Sequence, residues 1–582
     1  MKTVINPLPT SSRTWSLRAR LGGRGNPAEI SDGWPRRFAP RHDKQGSWSL
    51  SPKAPLLGPA LALILLSFAV ARAAERPNVL FIAVDDLRPE LGTYGASHIK
   101  SPHIDRLAAT GVRFDRAYVQ YAICGPSRAT TLTGLRPHTL KIEHIDTNFR
   151  DTVPDVVTLP QLFKQHGYTT AYIGKIFHPG QTDDANSWTR KLTPARGEAA
   201  GGYKLAASRA IVKQRREAAL AKYGTDKGGI TNGPAWEAAD EPDNAYADGE
   251  SADAALAALR DLKGTPFFLG VGLLKPHLPF VAPKKYFDLY DPATLPLTAT
   301  PEPPTEAPSI ARHSSFELRT RTGVPTAGPI DAETSRKLLH AYAACVSFVD
   351  AQVGRILAEL DALGLSENTI VVLWGDHGWH LGEYGIWGKA TNYEIGTRIP
   401  FVIRAPGMAG NGRSSRAIVE SIDLYPTLSA LAGLPAPIAL EGQSLVPLLQ
   451  NPAATGKNFA FSEFPAPALR EWAARPLSPA MRETFFGPLI ADAEAQLARE
   501  HGARYDRKTF EDHVKGYSLR TDRHRCTLWV DRRTPDSEPL AVELYDHAND
   551  PNEMRNIAAQ LDQQTLRAQL IARIRAQWPA AR

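Results

Sequence analysis

Four apolar runs punctuate the first two thirds of this 582-residue chain, and each stops abruptly on charged or polar residues. Residues 78–84 stop at Asp85-Asp86 and residues 169–173 at Gly174-Lys175. Residues 267–272 stop shortly before Lys275-Pro276-His277, and residues 369–374 at Gly375-Asp376-His377. Runs this short and this continuously apolar suit strands covered on both faces, because a half-exposed strand would alternate apolar and polar positions. Between them, apolar residues recur at helical spacing over 155–166, 252–263 and 336–363. Strand and helix in alternation predict an α/β domain, a large and mostly parallel sheet with helices on both sides. Such sheets gather their functional groups beyond the carboxyl ends of the strands. The charged residues just named fall there.

The last third reads differently. Residues 292–308, rich in Pro and Thr, predict an irregular surface loop. Helical stretches over 461–515 have the look of an insertion. Residues 517–521, 526–530 and 542–546 predict antiparallel strands, with a turn at Asn549-Asp550-Pro551-Asn552 and an amphipathic helix over 561–578. The expected organisation is a catalytic domain over 75–460, a helical insertion over 461–515 and a smaller C-terminal α+β subdomain over 516–582.

At the amino end, the apolar run 60–71 is too short to cross a bilayer comfortably. It is followed by Ala71-Arg72-Ala73, a small-x-small pattern, so residues 54–74 predict a signal peptide and export to the periplasm or medium. The Arg-, Pro-, Gly- and Ser-rich residues 1–53 show no apolar periodicity and predict disorder or a start codon assigned too far upstream. The formal charge of +7 is confined to this region, because residues 1–53 hold ten Lys or Arg against three Asp or Glu. With Arg72 also set aside, the chain from Glu75 onward is close to −1. A neutral body argues against a nucleic-acid binder, which needs a basic face. Only three cysteines occur, Cys124, Cys345 and Cys526, so at most one disulfide is compatible with chemistry at Cys124.

The run Cys124-Gly125-Pro126-Ser127-Arg128-Ala129-Thr130-Thr131-Leu132-Thr133-Gly134 resembles the signature of the sulfatase family. So do Gly174-Lys175-Ile176-Phe177-His178-Pro179-Gly180, Lys275-Pro276-His277-Leu278-Pro279-Phe280, the stretch from Gly375-Asp376-His377 to Glu383, and Gly516-Tyr517-Ser518-Leu519-Arg520-Thr521. These look most like the iduronate-2-sulfatase-like branch. The likeness runs from about Arg76 to the C-terminus and thins over 185–250 and 460–515, regions expected at the substrate mouth.

The resemblance implies an alkaline phosphatase-like fold and a sulfuric ester hydrolase. It implies that Cys124 is oxidised to formylglycine by a formylglycine-generating enzyme or an anaerobic maturase. It implies one Ca2+, or Mg2+, held by Asp85, Asp86, Cys124, Asp376 and His377. Hard oxygen donors crowded together suit such an ion. It also implies that Arg128 contacts the formylglycine and the metal site, that Lys175 and Lys389 hold the sulfate, that His178 handles a proton of the nucleophile and that His277 stands near the leaving oxygen. From the residues themselves, Pro126 predicts a helix start with Cys124 just before it, where free N–H groups favour anions. The substrate implied is a sulfated carbohydrate, including 2-O-sulfated uronic acids. Two other readings remain: a phosphatase or phosphonate monoester hydrolase of the same superfamily, and a catalytically silent glycan-binding protein.

Overall fold

The computed structural model describes residues 76–193, 202–224, 226, 230–471 and 473–577. The expected signal peptide and the segment before it lie outside the described residues. Nine strands form the central sheet: β1 (Asn78–Val84), β2 (Val112–Tyr118), β3 (Thr169–Gly174), β4 (Arg190–Lys191), β5 (Phe267–Leu273), β6 (Thr369–Gly375), β7 (Arg398–Ile399), β8 (Phe401–Arg404) and β9 (Arg413–Glu420). Their order is β7-β2-β8-β6-β1-β5-β3-β4, with β9 paired to β2. The four strands read from the sequence are its centre. β1 runs parallel to β5 and β6, and β3 parallel to β5. β7 and β8 are antiparallel, which makes the sheet mixed.

All seven residues of β1 are buried, and the period of two divides them between two cores. Leu80, Ile82 and Val84 join a core with the helices α1 (Pro102–Thr110), α5 (Ala247–Leu262) and α6 (Ala332–Ala362). Val79, Phe81 and Ala83 join another with α2 (Cys124–Thr133) and α3 (Leu159–Gln165). (The helix α4, Ala206–Tyr223, lies between α3 and α5 in the chain.) Each fully buried Leu, Ile or Phe contributes roughly 1.5–3 kcal/mol. A central strand apolar on both sides is therefore the anchor of the sheet. α3 starts later than its apolar period suggests because Thr158 and Gln161 close a capping box and fix its first turn.

Four antiparallel strands make a second sheet: β10 (Phe459–Pro465), β11 (Val514–Thr521), β12 (His524–Asp531) and β13 (Ala541–Asp546). The helix α8 (Gln564–Ala576) packs Leu570 and Ile574 on one face, against Leu519, Leu528 and Leu544. The helix α7 (Gly487–His501) contributes Ile490 and Leu497 to a core with Val514, Trp529 and Tyr545. The small sheet thus begins ahead of the insertion expected over 461–515, and the helical segment sits between β10 and β11. The alternation in β10 is legible in retrospect, but Pro465 and Pro467 beside it read as loop.

Two buried charge clusters hold the small sheet in place. Arg525 donates to Glu394 at 2.6 Å and to Glu553 at 2.6 Å, and Arg520 reaches Glu394 at 2.9 Å. Glu463 of β10 pairs with Lys515 of β11 at 3.0 Å and with His138 at 3.1 Å. Burial pushes the Glu463 carboxyl up, but Lys515 and His138 outweigh it and bring it from 4.5 down to about 2. A depressed folded-state value stabilises above the unfolded value and is lost as pH falls through the folded one. Up to about 3 kcal/mol should therefore disappear between about pH 4.5 and pH 2. Urea melts of wild type and Glu463→Gln across that window should show a flatter pH dependence in the variant.

Candidate active site

Strand register brings the polar strand ends together. Val84 pairs with Gly375 on one side and Leu273 on the other, and Gly174 pairs with Gly272. Asp85-Asp86, Asp376-His377, Lys175 and the loop to His277 therefore emerge side by side from one edge. Gly174 and Gly272 permit a close crossing of two strand ends: a Cβ on Gly174, whose φ is +72°, would lie 2.0 Å from the Gly272 carbonyl oxygen. No other residue fits there. Asp86 also takes a left-handed backbone (φ 59°), and its N–H donates to Asp376 Oδ1 at 3.0 Å.

Cys124 opens α2, and the first helical bond runs from Ser127 N to Ile123 O at 3.0 Å. The helix thus starts at Cys124 itself, two residues before the start that Pro126 predicts. Pro126 is third in the helix, where its missing N–H has no intrahelical partner to lose. All ten residues of α2 are buried, and Gly134 ends it in a left-handed cap. Tyr121, Ile123, Ala390, Phe464 and Ala474 form a small core that sets Cys124 and Lys389 beside each other. The Cys124 sulfur lies 3.2 Å from His377 Nε2, 3.5 Å from Lys389 Nζ and 3.9 Å from Asp86 Oδ1.

Three carboxylates, fully buried, meet here with three cations. Lys175 Nζ lies 2.5 Å from Asp85 Oδ2, and Lys389 Nζ 2.9 Å from Asp86 Oδ1. Arg128 does not face outward. Its Nε donates to Asp376 at 2.9 Å, its Nη2 to Asp85 at 3.1 Å, and its Nη1 to the carbonyls of Lys175 and Ile176. It ties three strand ends together. Removing one partner of a buried ion cluster costs about 3–5 kcal/mol. Arg128→Ala should thus lower the melting temperature by several degrees, and Arg128→Lys should not restore it, since an ammonium lacks the planar fork. Thermal unfolding checks both.

Burial drives the Asp376 carboxyl up to about 7, with Asp85 adding to it and Arg128 and Lys175 opposing. Burial and the neighbouring Asp85, Glu317 and Asp376 raise Asp86 despite Lys389. Asp85 is held low, because Lys175, Arg128 and His277 outweigh its burial. Burial thus works against ionised Asp376 and Asp86 even with these cations beside them. One ligand atom each from Asp85, Cys124, Asp376 and His377 lies within 4.8 Å of the others, and the same holds for Asp85, Asp86, Cys124 and His277. The buried carboxylate oxygens in these groups fit a divalent cation. A third acid–histidine group, Glu394, His547 and Glu553, is already engaged by Arg520 and Arg525.

His178 and His277 are the partly exposed members of the group. His178 directs Nδ1 to the Pro179 carbonyl at 3.0 Å, and among the described residues it makes no hydrogen bond to Cys124. Burial, then Lys175, brings its pKa down to about 3. Burial and Lys389 also take His277 to about 3, with Glu317 and Asp85 pulling the other way. Lys275 turns inward onto the carbonyls of His277 and Pro279, at 3.0 and 2.8 Å, and shapes the loop that carries His277. Cys345 and Cys526 are both free and buried in separate cores.

Sequence reasoning missed Glu317. It lies on a four-residue helix, Phe316–Arg319, with 10% of its side chain exposed. Its Oε1 is 3.3 Å from His277 Nε2 and its Oε2 is 3.4 Å from Lys389 Nζ. Burial raises its carboxyl, but Lys389, His277 and Arg321 outweigh that and hold it low. No motif surrounds it; a lone acid between Phe316 and Leu318 was the sole trace.

A mixed, mostly parallel sheet with a carboxylate–cation cluster at its strand ends is the alkaline phosphatase-like architecture. The sulfatase family profile matches residues 77–434, and the chain belongs to the sulfatase family. Iduronate 2-sulfatase of Mus musculus is 32% identical, with 86% of this chain and 95% of that protein covered. The Homo sapiens iduronate 2-sulfatase is 31% identical, with 85% and 95% covered. Among solved structures, a phosphonate monoester hydrolase from Silicibacter pomeroyi superposes with a TM-score of 0.63 at 25% identity, covering 86% of this chain and 94% of that one. The family match and the two iduronate 2-sulfatases support a sulfuric ester hydrolase.

Proposed function

We propose that this enzyme is exported and removes sulfate from sulfated carbohydrates, 2-O-sulfated uronic acids among them. The observation that carries the reading is Cys124 at a helix start, within 4 Å of Asp86, His377 and Lys389. Burial and Asp85 push the Cys124 thiol well above its usual range. It is therefore a poor thiolate nucleophile as it stands. Conversion to formylglycine by a dedicated maturase would supply an aldehyde, whose hydrate, formed by addition of water, carries one hydroxyl to displace the alcohol from sulfur and a second whose deprotonation re-forms the aldehyde and expels sulfate. A divalent cation, Ca2+ or Mg2+, held by Asp85, Asp86, Asp376, His377 and residue 124 would polarise the ester.

The side chains have separable tasks. Lys175 and Lys389 present ammonium groups to the sulfate oxygens. Arg128 keeps Asp85 and Asp376 in place. His277, on the open side, gives a proton to the departing alcohol, and His178 takes one from the second hydroxyl. The alcohol faces solvent at these two histidines, so the sugar lies outside and the sulfate inside.

Mass spectrometry of the peptide containing Cys124, together with turnover of an aryl sulfate and the matching aryl phosphate, tests the reading. An intact thiol in active enzyme, or faster cleavage of the phosphate, overturns it.

A further inference from the structure

We propose, on the sulfated-carbohydrate reading above, that a cavity beside the catalytic site holds the second sugar ring of the substrate, an unsulfated pyranose whose hydroxyls donate to Glu471. The cavity has a volume of about 480 Å³, and its walls include Lys222, Tyr223, Glu471, Arg475, Met481 and Phe486. Lys222 and Tyr223 end α4. Met481 belongs to a four-residue helix, Pro479–Arg482, and Phe486 directly precedes α7. All six fall within 185–250 and 460–515, the two stretches where the family likeness thins. Two segments far apart in the chain, both departing from the family pattern, thus meet around one space.

Residues 144–146 link this space to the nucleophile. A Cβ on Gly125, next to Cys124, would lie 3.2 Å from the Ile145 Cα, and the Ile145 N–H donates to the Ala473 carbonyl at 3.1 Å. Asp146 accepts from Arg475 Nε, which holds its carboxyl below the usual range, and His178 is near enough to add to that pull. One short segment therefore touches the neighbour of Cys124 on one side and the cavity wall on the other.

Glu471 gives the wall its chemistry. The residue is 8% exposed, and its buried Oε1 has no hydrogen-bond partner among the described residues, with Arg475 Nη1 3.7 Å away. The Glu471 N–H donates to the Arg475 carbonyl at 3.0 Å and the Ala474 N–H to the Glu471 carbonyl at 2.9 Å, so a closed turn fixes its place. Burial pushes the carboxyl up to about 7, against the pull of Arg475. A buried acceptor left unmet costs stability, and a donor on a ligand removes that cost. Hydroxyls are such donors and carry no charge, whereas a sulfate or a uronate would be repelled. The cations of the wall are engaged already, Arg475 by Asp146 and Lys222 by the Tyr223 ring, 5.1 Å below its ammonium. Tyr223, Met481 and Phe486 supply apolar surface for the C–H face of a pyranose, and one polar group among apolar walls is how ligand cavities fix orientation.

Kinetics on 4-nitrophenyl sulfate, on a 2-O-sulfated uronic acid and on a disaccharide joining that acid through its anomeric carbon to an unsulfated N-acetylhexosamine test the proposal. Wild type should show a KM for the disaccharide about 10-fold below that for the monosaccharide, the worth of hydrogen bonds to a charged acceptor. Glu471→Ala should raise the disaccharide KM about 10-fold while kcat stays within about 2-fold, the pattern of lost uniform binding. Its KM for the monosaccharide should move by less than about 2-fold, since that ester has no second ring to lose. Glu471→Gln keeps an acceptor oxygen and should recover part of the loss. Ala480→Trp, at an exposed position on the cavity wall, should raise the disaccharide KM by filling the space. A disaccharide KM unchanged in either Glu471→Ala or Ala480→Trp, or equal losses on all the esters, overturns the subsite. If matured wild type cleaves 4-nitrophenyl sulfate and neither sugar ester, the carbohydrate reading fails and the subsite with it; if it cleaves none, the sulfatase reading fails.

Discussion

Cys124→Ala leaves a folded protein without turnover. We expect kcat on an aryl sulfate to fall roughly 10⁴-fold or more, as when a covalent nucleophile is removed elsewhere. Its melting temperature should stay within a few degrees, because the sulfur makes weak contacts alone, with Lys389, His377 and Asp86, and fills little volume at the start of α2. Substitution to Ala keeps the helix start, since Ala is the best helix former. Aryl sulfate turnover beside a thermal melt separates lost chemistry from lost fold. Retained activity would remove residue 124 from the reaction.

Asp376→Asn should cost the next largest amount, roughly 100-fold or more in kcat, together with weakened binding of a divalent cation. Asp376 accepts from the Asp86 N–H at one oxygen and from Arg128 Nε at the other. An amide must turn its NH2 toward one of these two donors. Leaving a buried donor unmet costs about 1–3 kcal/mol, so stability falls too. Chelation isolates the cation from that fold effect. Wild type stripped of metal should lose turnover and regain it with Ca2+ or Mg2+; full turnover after stripping would sink the metal role.

The strand ends were legible because buried parallel strands must be apolar throughout, so the first charged residue marks the edge. That rule placed Asp85, Asp86, Lys175, Asp376 and His377 together before any coordinates. Lys389 was legible only through the family resemblance, since it follows a two-residue strand that no periodicity reveals. Arg128 was found, but its direction was not: a sequence shows that an arginine follows Cys124 by one turn, not that three strand ends compete for its guanidinium. Glu317 stayed hidden because its partners are 40 and 72 positions away in the chain. β10 was hidden by flanking prolines, which mark loops more often than the last residue of a strand.

The burial of Cys124, 1% exposed within a helix that shows no residue to solvent, has a consequence for biosynthesis. The oxidation proposed above would need access to the thiol and its flanking backbone, and the folded protein offers neither. That oxidation would then have to precede folding. A production strain that lacks the oxidising enzyme would then deliver well-folded but inert material, which no later treatment of the native protein could rescue.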